Sequence, residues 1–380
     1  WINTTSNACT ITLPASAEAG DQIVIVDFAR TWGTNKIIID SNGLNYQGDD
    51  DGSTVEYTTS GQSVNLIYSD STKGWLPLED DVVALEPAAP VTQKALFAYG
   101  RIGNGDMLSV KNLVNSSGVV AADVTGVGTA RGYINAATYG TDKAIFAFGY
   151  DNTNAVNTRN LVNNSGVIAE NATGAGTAKF ANAGTGYGDD KAIFYGGRIA
   201  DGTRQNTSNL VTNEGVVGTD VTGVGTSRGY LTGVRYGSSG QALFTKGNDA
   251  NGGNENITNL VNNSGVISAD VTGVGTARYG LAASTYGVGL AAIAYGYNNL
   301  SVKNLVNTSG VIGADVTGVG TGRADIAASN YGGDKGIFAY GGNVVSLKNL
   351  LSNSGVIAAD VTGVGTARKG LGAAGYSLSA

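Results

Sequence analysis

Six basic residues recur at one place in a repeated sequence and could together form an anion-binding ring. Each lies eight residues after an acidic or amide residue and eight residues before a tyrosine. Pseudo-symmetry would place them at equal radius around one mouth of a channel, where they would attract an anion or an acidic glycan. In the structural alternative, each pairs with the acidic or amide residue eight positions before it, because buried charges need partners. The six are Arg131, Lys179, Arg228, Arg278, Arg323 and Arg368.

These residues belong to a motif that occurs six times, with no insertion or deletion between its first asparagine and its tyrosine. In the second copy Asn171 replaces the acid and Lys179 replaces the arginine, which favours pairing within a copy. The copies follow one another every 45 to 50 residues, a period typical of a propeller blade. The copies begin at Asn112, Asn160, Asn209, Asn259, Asn304 and Asn349.

Each period divides into four strand-like pieces, as in residues 143–150, 159–163, 167–171 and 181–187. Four short antiparallel strands repeated six times predict a six-bladed β-propeller over residues 94–380. The strands rich in alanine and glycine should lie innermost, where only small side chains fit. The last of them should complete the first blade, so that the C-terminal strand closes the ring and removes its open edges.

The copies vary in length and composition mainly in one loop, between the apolar strand and the strand that carries the asparagine. A rigid frame with differing polar loops is a common way to build a binding surface, although loop tips also simply tolerate change. Tyr150, Tyr195 and Tyr297 beside these loops could supply flat apolar faces for a sugar. The candidate binding residues are Asp106, Asp151, Asn152, Asn154, Asp201, Arg204, Gln205, Asp249, Asn254, Glu255, Asn298 and Asn299.

Two other patterns have a structural interpretation that we favour. The TGVGT segment between acid and base resembles a phosphate-binding loop, but it lacks a Lys-Ser/Thr pair and a following helix, so a tight crossing between blades is expected. The run Asp49-Asp50-Asp51-Gly52 could bind Ca²⁺, but it lacks the alternate spacing and the distal glutamate of an EF-hand, so a solvated turn is expected.

Composition excludes several kinds of chemistry. The chain has no histidine, which removes the commonest general base and metal ligand, and its one cysteine, Cys9, cannot form an internal disulfide. The net charge of -7 argues against a nucleic-acid partner, and no apolar run is long enough for membrane insertion. A polysaccharide-cleaving enzyme would need paired carboxylates, and nothing marks two loop acids as partners. We therefore expect no catalytic residues, no metal and no cofactor.

Residues 1–78 lack the repeat and predict a small β domain, with strands at 8–14, 22–29, 36–41, 53–59 and 63–70. Residues 79–93, which are acidic and rich in proline, predict a linker into the repeats. The chain opens on Trp1 without a methionine, which indicates a processed product or a fragment.

Both parts resemble known families. The TITLPAS strand, the D-F-A-x-T-W-x-x-N stretch and the closing D-S-T-K-G-W, within residues 3–77, resemble a β module of tail fibres and other virion proteins of tailed bacteriophages. The segments IFYGG (193–197) and FAYGG (338–342), with the arginine before the inner strand, resemble kelch repeats, although the usual kelch tryptophan is missing. Galactose oxidase shares that fold, but its copper-binding histidines have no counterpart here.

The phage resemblance implies a virion (extracellular) location, other virion proteins as partners, and a homo-oligomer, often a trimer. We expect a non-enzymatic tail-fibre or receptor-binding protein whose propeller loops contact a host surface glycan or protein. The alternatives are a purely structural head or tail decoration and an extracellular adhesin.

Overall fold

The computed structural model describes residues 1–48, 55–79 and 92–380, and every regular element in them is a β-strand. The prediction of an all-β chain is therefore confirmed for these residues. The chain divides into two compact units, Trp1–Pro87 and Ala88–Ala380. The predicted linker, except for its ends, and the predicted turn at Asp49–Gly52 lie outside the described residues.

The first unit contains two three-stranded sheets, ordered β1-β3-β4 and β2-β5-β6. The five predicted strands are present, and a sixth that was not predicted, β6, ends at Glu79, the first residue of the predicted linker. β6 contains Pro77 and is the edge strand of its sheet, where a residue without an N–H is tolerated. The strands are β1 (Cys9–Thr12), β2 (Gln22–Val26), β3 (Ile37–Asp40), β4 (Val55–Tyr57), β5 (Ser63–Tyr68) and β6 (Trp75–Glu79).

The conspicuous D-F-A-x-T-W stretch has a structural role in this unit. The carboxylate of Asp27 accepts hydrogen bonds from the backbone N–H groups of Thr31, Trp32 and Gly61, at 3.0 to 3.1 Å. These bonds fix the turn that carries Trp32 into the core, where it is fully buried together with Trp75. The aspartate therefore fixes the turn that places the tryptophan in the core, and both residues have a structural role.

The second unit contains six antiparallel sheets, ordered β26-β7-β8, β9-β10-β11-β12, β13-β14-β15, β16-β17-β18-β19, β20-β21-β22 and β23-β24-β25, which we call the first to the sixth sheet. Their strands are β7 (Lys94–Ala98), β8 (Lys111–Val114), β9 (Asn135–Tyr139), β10 (Lys143–Ala147), β11 (Thr158–Val162), β12 (Ala172–Thr173), β13 (Ala183–Tyr187), β14 (Lys191–Tyr195), β15 (Ser208–Val211), β16 (Thr232–Tyr236), β17 (Gln241–Thr245), β18 (Ile257–Val261), β19 (Val271–Thr272), β20 (Ala282–Tyr286), β21 (Leu290–Gly296), β22 (Leu300–Val306), β23 (Ala327–Tyr331), β24 (Lys335–Ala339), β25 (Lys348–Leu351) and β26 (Gly372–Tyr376).

The strands rich in alanine and glycine lie next to one another. In order, β9, β13, β16, β20, β23 and β26 each contact the next, and β26 contacts β9. The predicted pairing of the C-terminal strand is observed, since Gly372–Tyr376 pairs antiparallel with Lys94–Ala98. The apolar strand beside each small-residue strand is buried on both faces, as in β10 and β14. The chain thus returns to its first sheet to finish it.

The prediction of four strands in every period is wrong for the described residues: four of the six sheets have three strands, and only the second and fourth sheets have a fourth strand, of two residues each (β12 and β19). Residues 167–171 do not form a strand: Ile168 makes one bridge to Val162, and the short β12 begins only at Ala172. The cause is the Asn160 side chain, whose amide donates to the Ala169 carbonyl at 2.9 Å. A side-chain hydrogen bond therefore replaces one of the backbone bonds that a ladder would need.

Each tyrosine that ends a small-residue strand packs on a glycine of the following sheet. The Tyr139 ring lies against Gly215, and the Tyr376 ring lies against Gly166. A Cβ at either glycine would fall 2.8 to 2.9 Å from the nearest ring or side-chain atom, and both glycines have a left-handed φ, +80° and +75°. The tyrosine that recurs in the motif is therefore a contact between sheets.

Candidate functional site

The six recurring basic side chains are buried, each at 0 to 1 % exposure. They therefore do not form a charged ring at a mouth, and that interpretation is wrong. Pairing with the residue eight positions earlier is also wrong: Arg368 lies 3.9 Å from Asp123 of the first copy, and Arg323 lies 3.7 Å from Asp360 of the next copy. The motif spans two sheets, so its asparagine and acid belong to one sheet and its arginine and tyrosine to the next.

Each arginine instead joins a cluster formed within one sheet, which we call the link cluster. We call the glycine-rich segment that connects one sheet to the next, TGVGT in most copies, the link. The link cluster comprises the motif asparagine and acid of a sheet, together with the threonine and the basic residue at the end of the link that leads into that sheet. In the fifth sheet Arg278 donates to the backbone carbonyls of Tyr295 (2.8 Å) and Thr276 (3.1 Å) and to Oδ1 of Asn304 (2.7 Å). The planar guanidinium thus satisfies three acceptors that point in different directions.

The acid of the link cluster binds the incoming link directly. Oδ2 of Asp315 accepts hydrogen bonds from the backbone N–H and the hydroxyl of Thr276, and Oδ1 accepts one from Asn304. Partial burial alone would raise the pKa of Asp315, but these hydrogen bonds and the Arg278 charge outweigh it and lower the pKa. The network holds the glycine-rich link against the sheet, in agreement with the crossing that the sequence predicts.

The set of hydrogen bonds is not complete in every arginine cluster, since Nε and Nη1 of Arg228 and Nε of Arg368 have no hydrogen-bond partner among the described residues. Two link clusters also differ in residue type, and they are different clusters. Asn171 faces Arg131 in the second sheet, whereas Lys179 faces Asp220 in the third. Among the described residues, the shorter lysine makes one hydrogen bond, to the Thr207 hydroxyl at 3.4 Å, and the buried Oδ1 of Asn209 has no partner. Burial lowers the pKa of Lys179 to about 8.

The acidic candidates in the loops organise their own turns. One carboxylate oxygen of Asp151 accepts the N–H groups of Thr153 and Asn154, and Asp201 and Asp249 make equivalent bonds within their loops. Asp106 is bonded to the Asn104 amide at 2.6 Å. Glu255 is half-buried, and its backbone N–H donates to the Gly247 carbonyl.

The other loop candidates are placed as follows. Arg204 is half-buried and donates to Asn248 (3.2 Å) and to the Gly202 carbonyl (2.8 Å). Asn152 and Asn154 are exposed, Gln205 is half-buried, and Asn254 forms a backbone bridge to Asn248. Asn298 and Asn299, each with a left-handed φ, lie with Tyr297 in the three-residue turn between β21 and β22.

The most continuous feature of this face was not predicted from the sequence: a row of aromatic rings. Successive centroids are 5.4 Å apart from Tyr150 to Phe180, 6.0 Å to Tyr133, 5.7 Å to Tyr230, 5.7 Å to Tyr279 and 4.5 Å to Tyr297. The last pair is stacked, and Tyr297 is 48 % exposed. By contrast, Tyr195, expected beside the loops, is fully buried, and its hydroxyl donates to the Val224 carbonyl. Four sheets contribute to this aromatic row.

Charged groups border the aromatic row. The Arg101 guanidinium lies 5.4 Å from the centre of the Tyr133 ring, and that of Arg198 lies 5.4 Å from Phe180. Asp325 lies near Arg101 and Lys369. Burial raises the pKa of its carboxyl, although these two cations oppose the shift. Burial also raises the pKa of Tyr133 to about 12, so its hydroxyl stays protonated.

The backbone beneath the aromatic row is fixed by left-handed residues two positions after the basic residue of each link cluster. Ala181 N donates to the Tyr133 carbonyl, Tyr230 N to Ala181 and Gly280 N to Tyr230. The equivalent residues, all with a φ between 50° and 66°, are Tyr133, Ala181, Tyr230, Gly280, Asp325 and Gly370. Rings and charges therefore stand on a rigid base, suited to binding a ligand with both apolar faces and hydroxyl or carboxylate groups.

Comparison with protein-family profiles finds no match for this chain, and comparison with curated proteins finds no related sequence. In the described part of the chain, no three acidic or cysteine side chains come together as a metal ion would require. No helix among the described residues has the length and apolar character needed to cross a membrane.

Proposed function

We propose that residues 94–380 form a six-bladed, kelch-like β-propeller closed by the C-terminal strand, with the aromatic row on its binding face. Support comes from the cyclic order of the small-residue strands and from the pairing of β26 with β7. The repetition of the link cluster supports it too, because Arg368 at the end of the array binds Asn112 of the first sheet at 2.7 Å. Closure in this way removes the open edges that six separate small sheets would expose.

In this proposal the chain is a non-enzymatic phage virion protein, of tail-fibre or receptor-binding type, that binds a carbohydrate on the host surface. The observation that carries the binding function is the row of six rings from Tyr150 to Tyr297 with Arg101 and Arg198 beside it. Sugar rings present apolar C–H faces that stack on aromatic rings, and guanidinium groups make forked hydrogen bonds to hydroxyl and carboxylate groups.

The virion context depends on the resemblance of residues 3–77, and an exposed apolar patch in that unit supports an oligomer. Trp1 is 86 % exposed and Phe28 59 %, with ring centroids 5.7 Å apart, and Val24 is 58 % exposed. Exposed aromatic rings that contact one another, as Trp1 and Phe28 do, are typical of protein interfaces. The partners are then sister chains, a trimer being one arrangement, and other virion proteins.

The alternative, a purely structural virion component, is favoured by a different surface. In each copy, a turn follows the strand that carries the motif asparagine and ends in a glycine. The valine directly after that glycine is 48 to 63 % exposed. Such a regular apolar surface could pack against neighbouring virion proteins. These valines are Val119, Val167, Val216, Val266, Val311 and Val356.

The two functions are separated by binding of the full chain to a glycan array and to a panel of intact bacterial cells. Tyr297→Ala removes the exposed end of the aromatic row, Arg198→Gln removes a bordering charge, and Val266→Ser is the matched control on the valine surface. Carbohydrate binding predicts saturable binding that both site variants weaken by about tenfold or more and that the control retains. The proposal fails if the folded wild-type chain binds no glycan and no cell, or if only Val266→Ser reduces cell binding.

A further inference from the structure

A cavity of about 400 Å³ lies between the six small-residue strands, separate from the aromatic row. Alanine, glycine, serine and threonine line most of it, together with the turns that follow the strands. Val288, in one of these turns, lines the cavity and is 70 % exposed, so the cavity opens to solvent there. This volume lies within the range of sites for small molecules.

One charged residue interrupts the small side chains of the strands that line this cavity. Arg235 occupies the fourth position of β16. The corresponding residues of the other five strands are Thr138, Gly186, Thr285, Asn330 and Gly375. A guanidinium at a strand position that is small or neutral in the other five strands cannot be explained by the fold, since those five strands do without one.

The neighbouring strand accommodates this arginine. A Cβ on Gly186 would lie 3.1 Å from Cδ of Arg235, so the side chain passes over a glycine. Its Nη2 donates to the Gly188 carbonyl at 2.7 Å. Within the described residues this guanidinium makes no other hydrogen bond and no ion pair, although the Asp189 carboxylate is near enough for its charge to act on it. Most of its N–H donors therefore remain for a ligand.

Polar groups around the cavity complete a binding site. Thr285, on the strand next to Arg235, also lines the cavity, and its hydroxyl has no partner among the described residues. Asn330 donates to the Thr92 hydroxyl at 2.8 Å, which leaves its carbonyl oxygen as an acceptor. Asp189 and Asp334 also line the cavity. Asp189 is exposed, whereas Asp334 is bonded to Lys335 and Asn353.

We propose that this cavity binds a small organic monocarboxylate, whose carboxylate is held by the Arg235 guanidinium. A guanidinium pairs with a carboxylate through two parallel hydrogen bonds, and the Thr285 hydroxyl and the Asn330 carbonyl bind polar groups of the remaining molecule. The acids Asp189 and Asp334 favour a single negative charge over phosphate or a polyanion, since like charges repel. This site is independent of the carbohydrate surface proposed above.

The test is isothermal titration of the full chain with glucuronate and with benzoate, using glucose and benzyl alcohol as the neutral counterparts. At least one carboxylate should bind with a Kd below about 1 mM, and its neutral counterpart should not. Arg235→Gln should weaken that binding by about tenfold or more, because it removes a charged hydrogen-bonding pair. Lys36→Gln, which removes a partly exposed cation of the first unit that belongs to neither proposed site, is the matched control and should change nothing.

A second variant guards against a general loss of structure. Gly186→Ala keeps the charge of Arg235 but displaces its side chain, and Gly186 does not have a left-handed φ that alanine would strain. It should weaken carboxylate binding while the melting temperature stays close to that of the wild type. Absence of carboxylate binding in the folded wild-type chain, or equal binding in Arg235→Gln, would overturn the proposal.

Discussion

The link clusters of the sixth and the third sheets have the same backbone frame and differ in the basic residue at their centre. Arg323 donates to the Tyr340 carbonyl, the Thr321 carbonyl and Oδ1 of Asn349, at 2.7 to 3.0 Å. Lys179 donates to one hydroxyl at 3.4 Å, and Oδ1 of Asn209 has no partner in the part of the chain that the structure describes. Both side chains carry a positive charge near an aspartate. The two clusters therefore differ in the number of hydrogen bonds that the basic group donates, since the planar, forked guanidinium has several N–H groups in fixed directions.

This comparison indicates that the arginines stabilise the fold through directed hydrogen bonds more than through charge. A buried ion pair alone roughly balances its desolvation cost, whereas removal of one partner leaves buried groups uncompensated. Arg323 also lies over the Tyr295 ring, 4.5 Å from its centre, and Lys179 lies 4.9 Å from that of Phe148. The aromatic contact is therefore common to both clusters and cannot account for a difference between them.

The largest expected effect is the loss of an intact cluster. Arg323→Met should lower the free energy of unfolding by about 3–5 kcal/mol, because Asn349 and Asp360 lose their buried partner. Lys179→Met should change it by less than about 1 kcal/mol, since an expensive buried ammonium is removed together with one long hydrogen bond. Urea unfolding of both variants at pH 7 measures the difference. Equal losses would show that charge, and not the fork, is what matters.

The second prediction concerns pH. The pKa of Lys179 is about 8 in the folded chain, below its ordinary value of 10.5. Between these values the unfolded chain holds a proton that the folded chain has lost, so this lysine's contribution to stability rises with pH. The stability of the wild type relative to Lys179→Met should therefore increase by on the order of 2 kcal/mol from pH 7 to pH 10. A constant difference across that range would contradict the lowered pKa.

Repair of the weak cluster should give a smaller effect. Lys179→Arg should stabilise the chain by about 1–2 kcal/mol, because a guanidinium can reach Oδ1 of Asn209 as it does the equivalent atom elsewhere. Thermal and urea unfolding of the single variant measure the gain. The double variant with Asn209→Leu is the control, and a gain of the same size there would attribute the stabilisation to another contact.

The smallest expected effect is in the second sheet. Asn171→Asp adds the carboxylate that the other clusters have, opposite Arg131, and should stabilise the chain by about 0.5 kcal/mol at low salt. Most of this gain should disappear in about 1 M salt, since the position is exposed and the added interaction is electrostatic. A gain that does not depend on salt would indicate a better hydrogen bond to Thr129 as its cause.

The strands were predictable because the amino-acid composition of each strand depends on its position in the sheet. Runs such as Lys143–Ala147 are apolar on both faces, and runs such as Ala183–Tyr187 are small enough to lie side by side. The partners of the arginines were not predictable by the same route. The sequence repeat is read from asparagine to tyrosine, but the chain changes sheet between Asp123 and Arg131, so spacing within a copy does not indicate contact.

The aromatic row could not be predicted from the sequence for a related reason. Its rings follow the basic residue by one position at Phe180 and Tyr279 and by two positions at Tyr133 and Tyr230. No single column of the repeat contains them, and the copies alternate in which position carries the ring. The six contact one another only because the sheets bring their links together, as the backbone bonds from Tyr133 to Gly280 show.

The pairing of Gly372–Tyr376 with Lys94–Ala98 has a consequence for synthesis on the ribosome. The first sheet begins with the first repeat that is translated and is completed only by the last. Until then β7 has one free edge, and the five intervening sheets must form beside an unfinished neighbour. A nascent chain that is crowded by its sisters could receive this strand from another molecule, so folding fidelity depends on how quickly the end of the array arrives.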